Sequence, residues 1–216
     1  MKCQQLINQV RKDLNDPKEV TWKQDDLEAV LADALLALSL VRPDATAVTQ
    51  SIPLVPGTKQ TLPAGSLRAI RFIRNMGSGA TPGKALRVGD RETLDVMFPE
   101  WHEEVGTEVH EVFYDPLIPN EFYVYPGMSA SGVFIEASIQ RVPTAISNPE
   151  SEDLPVADIY APALHEWMLY RAWGGDDESS PNYPVARDRR ANFFQLLGVK
   201  SQADIAVSAK PSSSIK

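Results

Sequence analysis

Cysteine, histidine and basic charge are the scarce commodities of this chain. The lone cysteine, Cys3, can form no intrachain disulfide and supplies no multi-cysteine zinc or iron–sulfur site, which points to a reducing compartment. The three histidines, His102, His110 and His165, show no metal-ligand spacing. With 21 Lys and Arg against 29 Asp and Glu, the net charge is −8. Tight wrapping of nucleic acid needs clustered cations, and that balance argues against it. The longest mostly apolar run, Ala29 to Val41, is broken by Asp33 and falls short of the roughly 20 residues that span a bilayer. Nor does Met1-Lys2-Cys3-Gln4-Gln5 lead into the apolar core of a signal peptide. The expectation is a soluble protein made in the cytoplasm, with no membrane partner.

What is present is enough for a proper core: 216 residues, 43% hydrophobic and 23% charged. Proline is in excess, with 17 in the chain and twelve of them between Pro43 and Pro155. Before that stretch the period is helical. Cys3, Leu6, Ile7, Val10 and Leu14 share one face, and Asn15-Asp16-Pro17 ends it. Thr21 as N-cap, with Gln24 three positions on, predicts a second helix carrying Leu27, Val30, Leu31, Ala34, Leu35 and Leu38 and ending near Arg42, before Pro43.

From about Ser51 the period becomes two. Short runs at 68–74, 85–88, 109–114, 122–125 and 133–139 read as strands, divided by turn signals at Val55-Pro56-Gly57-Thr58, Asn75 to Gly79 and Pro126-Gly127. Their close spacing predicts mainly antiparallel pairing. Leu94, Met97 and Phe98 suggest a helical turn or two, ended by Pro99. After Pro155 the helical period returns. Asp158 reads as the cap of a helix with Tyr160, Ala163, Leu164, Trp167, Tyr170 and Arg171 on one face, ended by Gly174-Gly175. A polar loop, Asp176 to Pro181, precedes a last helix from Tyr183 to Leu197, with Ala186, Arg190, Phe193, Phe194 and Leu197 inward and Gly198 at C′.

The fold class expected is α+β: a bundle of about four helices, residues 1–48 and 156–199, interrupted by a mainly antiparallel, sandwich-like β module over 49–155. Residues 200–216 read as a flexible C-terminal tail.

Patterns that carry chemistry all fall short. Gly77 to Ala85 imitates a phosphate loop, but only three residues separate Gly79 from Gly83, and Ala85 stands where Ser or Thr must ligate magnesium. His165-Glu166-Trp167-Met168-Leu169 begins like a zinc-protease helix and puts Leu169 where the second histidine belongs. Glu100, Glu103 and Glu104 around Trp101 read as an acidic surface loop rather than a glycosidase pair. Asp176-Asp177-Glu178 lacks the alternating ligands of a calcium loop. No catalytic residue, cofactor or metal is assigned, and the protein is read as a non-enzyme. Arg187, Arg189 and Arg190, on an otherwise acidic chain, suit a patch for a carboxylate-rich partner, against the alternative of ion pairs along a solvated helix.

The order of segments resembles a known family. Leu38 to Ala45, Pro53 to Pro63, Ile73-Arg74-Asn75, Leu94-Asp95 with Pro99-Glu100-Trp101, Phe122 to Pro126, and Tyr160 to Ala172 succeed one another as in the head-to-tail adaptor, or connector, proteins of tailed bacteriophages. The resemblance covers roughly residues 1–200. It implies a virion protein at the head–tail junction: a homo-oligomeric ring, typically a dodecamer, that binds the portal protein and the tail tube or nozzle protein and lets DNA pass without specific contact. It also implies that the segment after Gly198, with Lys200 and Lys210, reaches the portal or a neighbouring subunit. The alternatives are a tail terminator or baseplate component, and a carbohydrate-binding module presenting Trp101, Tyr123 and Tyr125 to a glycan.

Overall fold

The computed structural model describes residues 1–77, 79–174, 178–179 and 181–208, with backbone alone for 199–201 and 203–208. They form an α+β protein of two compact units. The first joins residues 1–45 to the C-terminal part from 143 onward, and the second is 46–142.

In the helical unit α1 (Cys3–Asp13) turns Leu6, Ile7 and Val10 inward. It stops in a Schellman motif: Asn15, at φ 55°, occupies the left-handed position, while its N–H donates to the Lys12 carbonyl and that of Asp16 to Arg11. The Asp16 carboxylate then accepts the N–H groups of Val20, Thr21 and Trp22 at 2.8–2.9 Å. That use of the loop's donors moves the next helix start. α2 (Gln24–Val41) is capped at Lys23, whose N–H donates to Asp26, and Thr21 is not its cap. α4 (Ala161–Ala172) follows a 3-10 turn, Asp158–Tyr160, and has Pro162 in its first turn. Asp158 does not cap it; its carboxylate accepts the N-terminal ammonium of Met1 at 2.7 Å.

α5 (Tyr183–Ser208) runs through Gly198, so that glycine is no terminator and residues 200–208 are helical. Among its described side chains Ala186, Phe193 and Leu197 are buried, whereas Arg190 and Phe194, expected inside, are exposed. Leu31, Leu35, Leu38, Leu164, Met168, Leu169 and Phe193 join the α1 residues in one core. Residues 149–154 belong here rather than to the β module: Cys3 and Gln4 donate backbone hydrogen bonds to Glu152 and Pro149, and Leu154 donates to Met1. Burial, then the nearby Glu152 and Asp153, push the Cys3 thiol up, as befits an inert side chain.

The second unit holds two sheets. One has the order β1-β9-β3-β4, all antiparallel: β1 (Ala47–Pro53), β9 (Phe134–Arg141), β3 (Ser66–Gly77) and β4 (Thr81–Ala85). The other has the order β2-β8-β7-β5, from β2 (Gly57–Thr61), β8 (Glu121–Met128), β7 (Glu111–Tyr114) and β5 (Arg87–Val88), with β6 (Val105–Gly106) on β8. The β5–β7 and β6–β8 pairs are parallel and the others antiparallel. Ile52, Phe72, Val112, Phe122, Val124, Ile135 and Ile139 from both sheets fill a common core. β3 departs from strict alternation. Three register shifts against β9 bury Ala69, Phe72 and Asn75, every third residue, because each bulge sets two residues opposite one. Pro126-Gly127 lies inside β8 instead of forming a turn, and Asn75 lies within β3.

Candidate interaction surfaces

The three arginines of α5 are not equivalent. Arg189 folds back onto α4, where it pairs with Glu166 at 2.9 Å and stands 5.3 Å from the Trp173 ring. Arg190 is exposed, 6.0 Å from the Tyr170 ring and 5.7 Å from that of Phe194. Arg187 is exposed and makes no ion pair among the described residues. Arg187 and Arg190 therefore share an outward ridge from which Arg189 is withdrawn. Lys200 lies on α5 with its side chain outside the described residues, and Lys210 lies outside them altogether.

α2 ends in a charged anchor. Arg42, buried, forks onto Asp44 with bonds of 2.8 and 2.7 Å, and Tyr160 donates to the same carboxylate at 3.0 Å. Arg42 first, then Tyr160, hold the Asp44 carboxyl below its ordinary range. These contacts lock the C-terminal end of α2 to the start of α4, leaving Leu36 and Leu40 facing outward.

In the β unit, α3 (Arg91–Met97) has no buried residue, although Val96 is 81% and Met97 65% exposed. Polar contacts hold it in place: Asp90 caps the Thr93 N–H, Arg91 pairs with Asp95 and lies 4.2 Å from the Tyr123 ring, and Trp101 donates its indole N–H to Asp95 at 2.7 Å. Trp101 is 1% exposed and stacks on His102, which hydrogen-bonds Thr58. A ring so enclosed offers no platform to a glycan. Tyr123 and Tyr125 share the half-exposed face of β8, the core side being taken by Phe122 and Val124. Tyr125 donates to Glu104, and that bond, then burial, push its phenol up. Lys84, from the phosphate-loop imitation, pairs with Glu108 at 2.7 Å. Of the acidic loop Asp176 to Glu178, Asp176 and Asp177 lie outside the described residues.

An open cleft of about 360 Å³ lies between Arg91, Phe113, Ile118, Glu121 and Tyr123, and its one cation is already stacked on an aromatic ring. Among the described residues no group of three or more His, Cys, Asp or Glu is placed to hold a metal ion, and no helix is long and apolar enough to cross a membrane.

The surfaces that stand out are thus an arginine ridge, an uncovered leucine stripe and the exposed Val96-Met97 end of α3, all features by which one protein meets another. The chain matches no curated protein. A family model described as SU10 adaptor protein matches residues 1–212, spanning both units, and the chain therefore belongs to this phage adaptor family as a structural component of the virion.

Proposed function

We propose that the protein is the head-to-tail adaptor of its phage: copies close into a homo-oligomeric ring, taken as a dodecamer, that sits between the portal and the tail tube or nozzle and forms part of the channel through which DNA leaves. It acts as a structural part and not as an enzyme. The observation that carries the proposal is the family match over residues 1–212, which includes the helical unit and the β unit alike. In this role α1, α2, α4 and α5 serve as a bundle that packs side by side around the ring, with the two sheets as a sandwich-like insertion. Charge supports passage of DNA. Twelve chains at −8 would carry on the order of −96 formal charges, and those facing the bore repel phosphates within a Debye length of about 8–10 Å. A basic lining would instead retain DNA through counterion release.

The test is native mass spectrometry of the full-length protein mixed with its portal protein, followed by cryo-electron microscopy of the virion. The expected result is one ring per portal and density directly beneath it. Density at the far end of the tail tube or in the baseplate would overturn the placement.

A further inference from the structure

α2 is apolar on the side turned away from its own core. Ala29, Ala32, Leu36 and Leu40 are exposed and recur at three- and four-residue intervals, with Leu36 at 48% and Leu40 at 78% exposure. From Gln24 to Val41 the helix has no Lys or Arg, and its first turns carry Asp25, Asp26 and Glu28. A helix apolar on both faces is ordinarily enclosed on both.

α5 has the complementary outer face. Arg187, Arg190, Ala191 and Phe194 are exposed at the same kind of spacing, basic at the N-terminal end and apolar further on. α4 lies between the two helices. It meets α2 where Asp33 accepts the Trp167 indole N–H at 2.9 Å and pairs with Arg171 at 3.3 Å. It meets α5 where Trp167 lies 4.7 Å from Phe193 and Glu166 pairs with Arg189. Both neighbours run antiparallel to α4: Asp44, just past α2, bonds Tyr160 at its start, and Arg190 stands over Tyr170 near its end. Hence α2 and α5 run parallel, and Arg42 reaches the Leu197 carbonyl at 3.5 Å, which levels their C-terminal parts. The two outer stripes therefore carry charge and apolar side chains in the same order along one direction.

We infer that the outer face of α2 is the seat for the outer face of α5 from a second copy of this chain. The inference rests on the ring proposed above and names the surfaces that build it. Each copy presents α2 on one flank of α4 and α5 on the other, so the contact is heterologous: copies add in one direction and close when the rotation between them allows. In this parallel order the basic end of α5, Arg187 and Arg190, faces the acidic end of the neighbour's α2, Asp25 and Glu28. Phe194 then lies on Leu36 and Leu40, with Ala29 and Ala32 permitting close approach.

Cysteine pairing in the full-length protein, with its portal protein present, tests this. Cys3 is fully buried, so introduced thiols are the reactive ones. Mixing Leu36→Cys with Ala191→Cys protein should give a covalent dimer that neither gives alone, and the doubly substituted chain should give a ladder ending at the ring size. Reversing Arg187→Glu and Arg190→Glu should lower the cross-linked yield at least tenfold, and adding Asp25→Arg and Glu28→Arg should restore it. Dimers formed by either single variant alone, or no dimer from the mixture, would overturn the inference. An amine-reactive reagent on the unsubstituted protein separates the two levels: a ladder there without the cysteine product discards this interface and keeps the ring, whereas no ladder by either chemistry discards both.

Discussion

Asn75 and Val109 hold each other through two hydrogen bonds: the Val109 N–H donates to Asn75 Oδ1 at 3.0 Å, and Asn75 Nδ2 donates to the Val109 carbonyl at 2.7 Å. Asn75 is on β3 of the first sheet, and Val109 precedes β7 of the second, so one buried amide ties the two sheets together. A side-chain amide supplies both the donor and the acceptor that a strand-like partner would offer.

Asn75→Ala should therefore cost about 2–4 kcal/mol in urea denaturation, since it strands a buried N–H and a buried carbonyl at once. Asn75→Asp should be more damaging at pH 7 than at pH 4, because its carboxylate would face the Val109 carbonyl and only the protonated form can donate to it.

Asp16 sets the acid limit of the loop between α1 and α2. The Trp22 N–H above all, with those of Val20 and Thr21 and the charge of Arg11, holds its carboxyl below the ordinary range. A depressed folded-state value means the stabilisation is present above the unfolded-state value near 3.9 and is lost as pH falls through the folded one. The melting temperature of Asp16→Asn should lie below that of the unsubstituted protein at pH 7, and the two curves should converge below about pH 4.

Trp101 and Phe98 are three residues apart and should behave oppositely. Trp101→Ala empties an enclosed site and should destabilise the β unit by about 3–5 kcal/mol, read by thermal or chemical denaturation. Phe98→Ser, at a position 56% exposed, should change stability by no more than about 0.5 kcal/mol. Equal losses for the two would contradict the packing described.

Gly127→Ala should destabilise the same unit. A Cβ there would sit 2.9 Å from the Thr58 methyl and 3.1 Å from the Glu104 carbonyl oxygen, and Glu104 accepts the Gly127 N–H, so the backbone cannot retreat without losing that bond. Denaturation monitored by tryptophan fluorescence should show a lower midpoint with an unchanged slope.

The helical stripes were legible because burial and period coincide: Leu6, Ile7 and Val10 on α1, and Leu27, Leu31 and Leu38 on α2, are spaced as a one-sided core demands. Where the sequence misled, a side chain or a bulge intervened. Thr21 looks like a cap until the Asp16 carboxylate claims its N–H, and Asn75 looks like a turn residue until three bulges carry it into the core. Gly198 looks like a stop because nothing local says that the chain continues helical beyond it. The arginines divided for a similar reason: period alone does not reveal that Glu166, on another helix, waits for Arg189 and not for Arg187.

The pairing of β1 with β9 sets Ala47 opposite Gln140, so the chain leaves the inserted unit beside the point where it came in. Once that unit has folded, nearly a hundred residues act as a short bridge, and the entropy of closing a long loop, which rises as about (3/2)RT ln n, no longer weighs on the meeting of α2 and α4. The insertion thereby works as an internal splint for the polypeptide that surrounds it, and its length can drift, or its contents be exchanged, while those two neighbouring strand ends stay put.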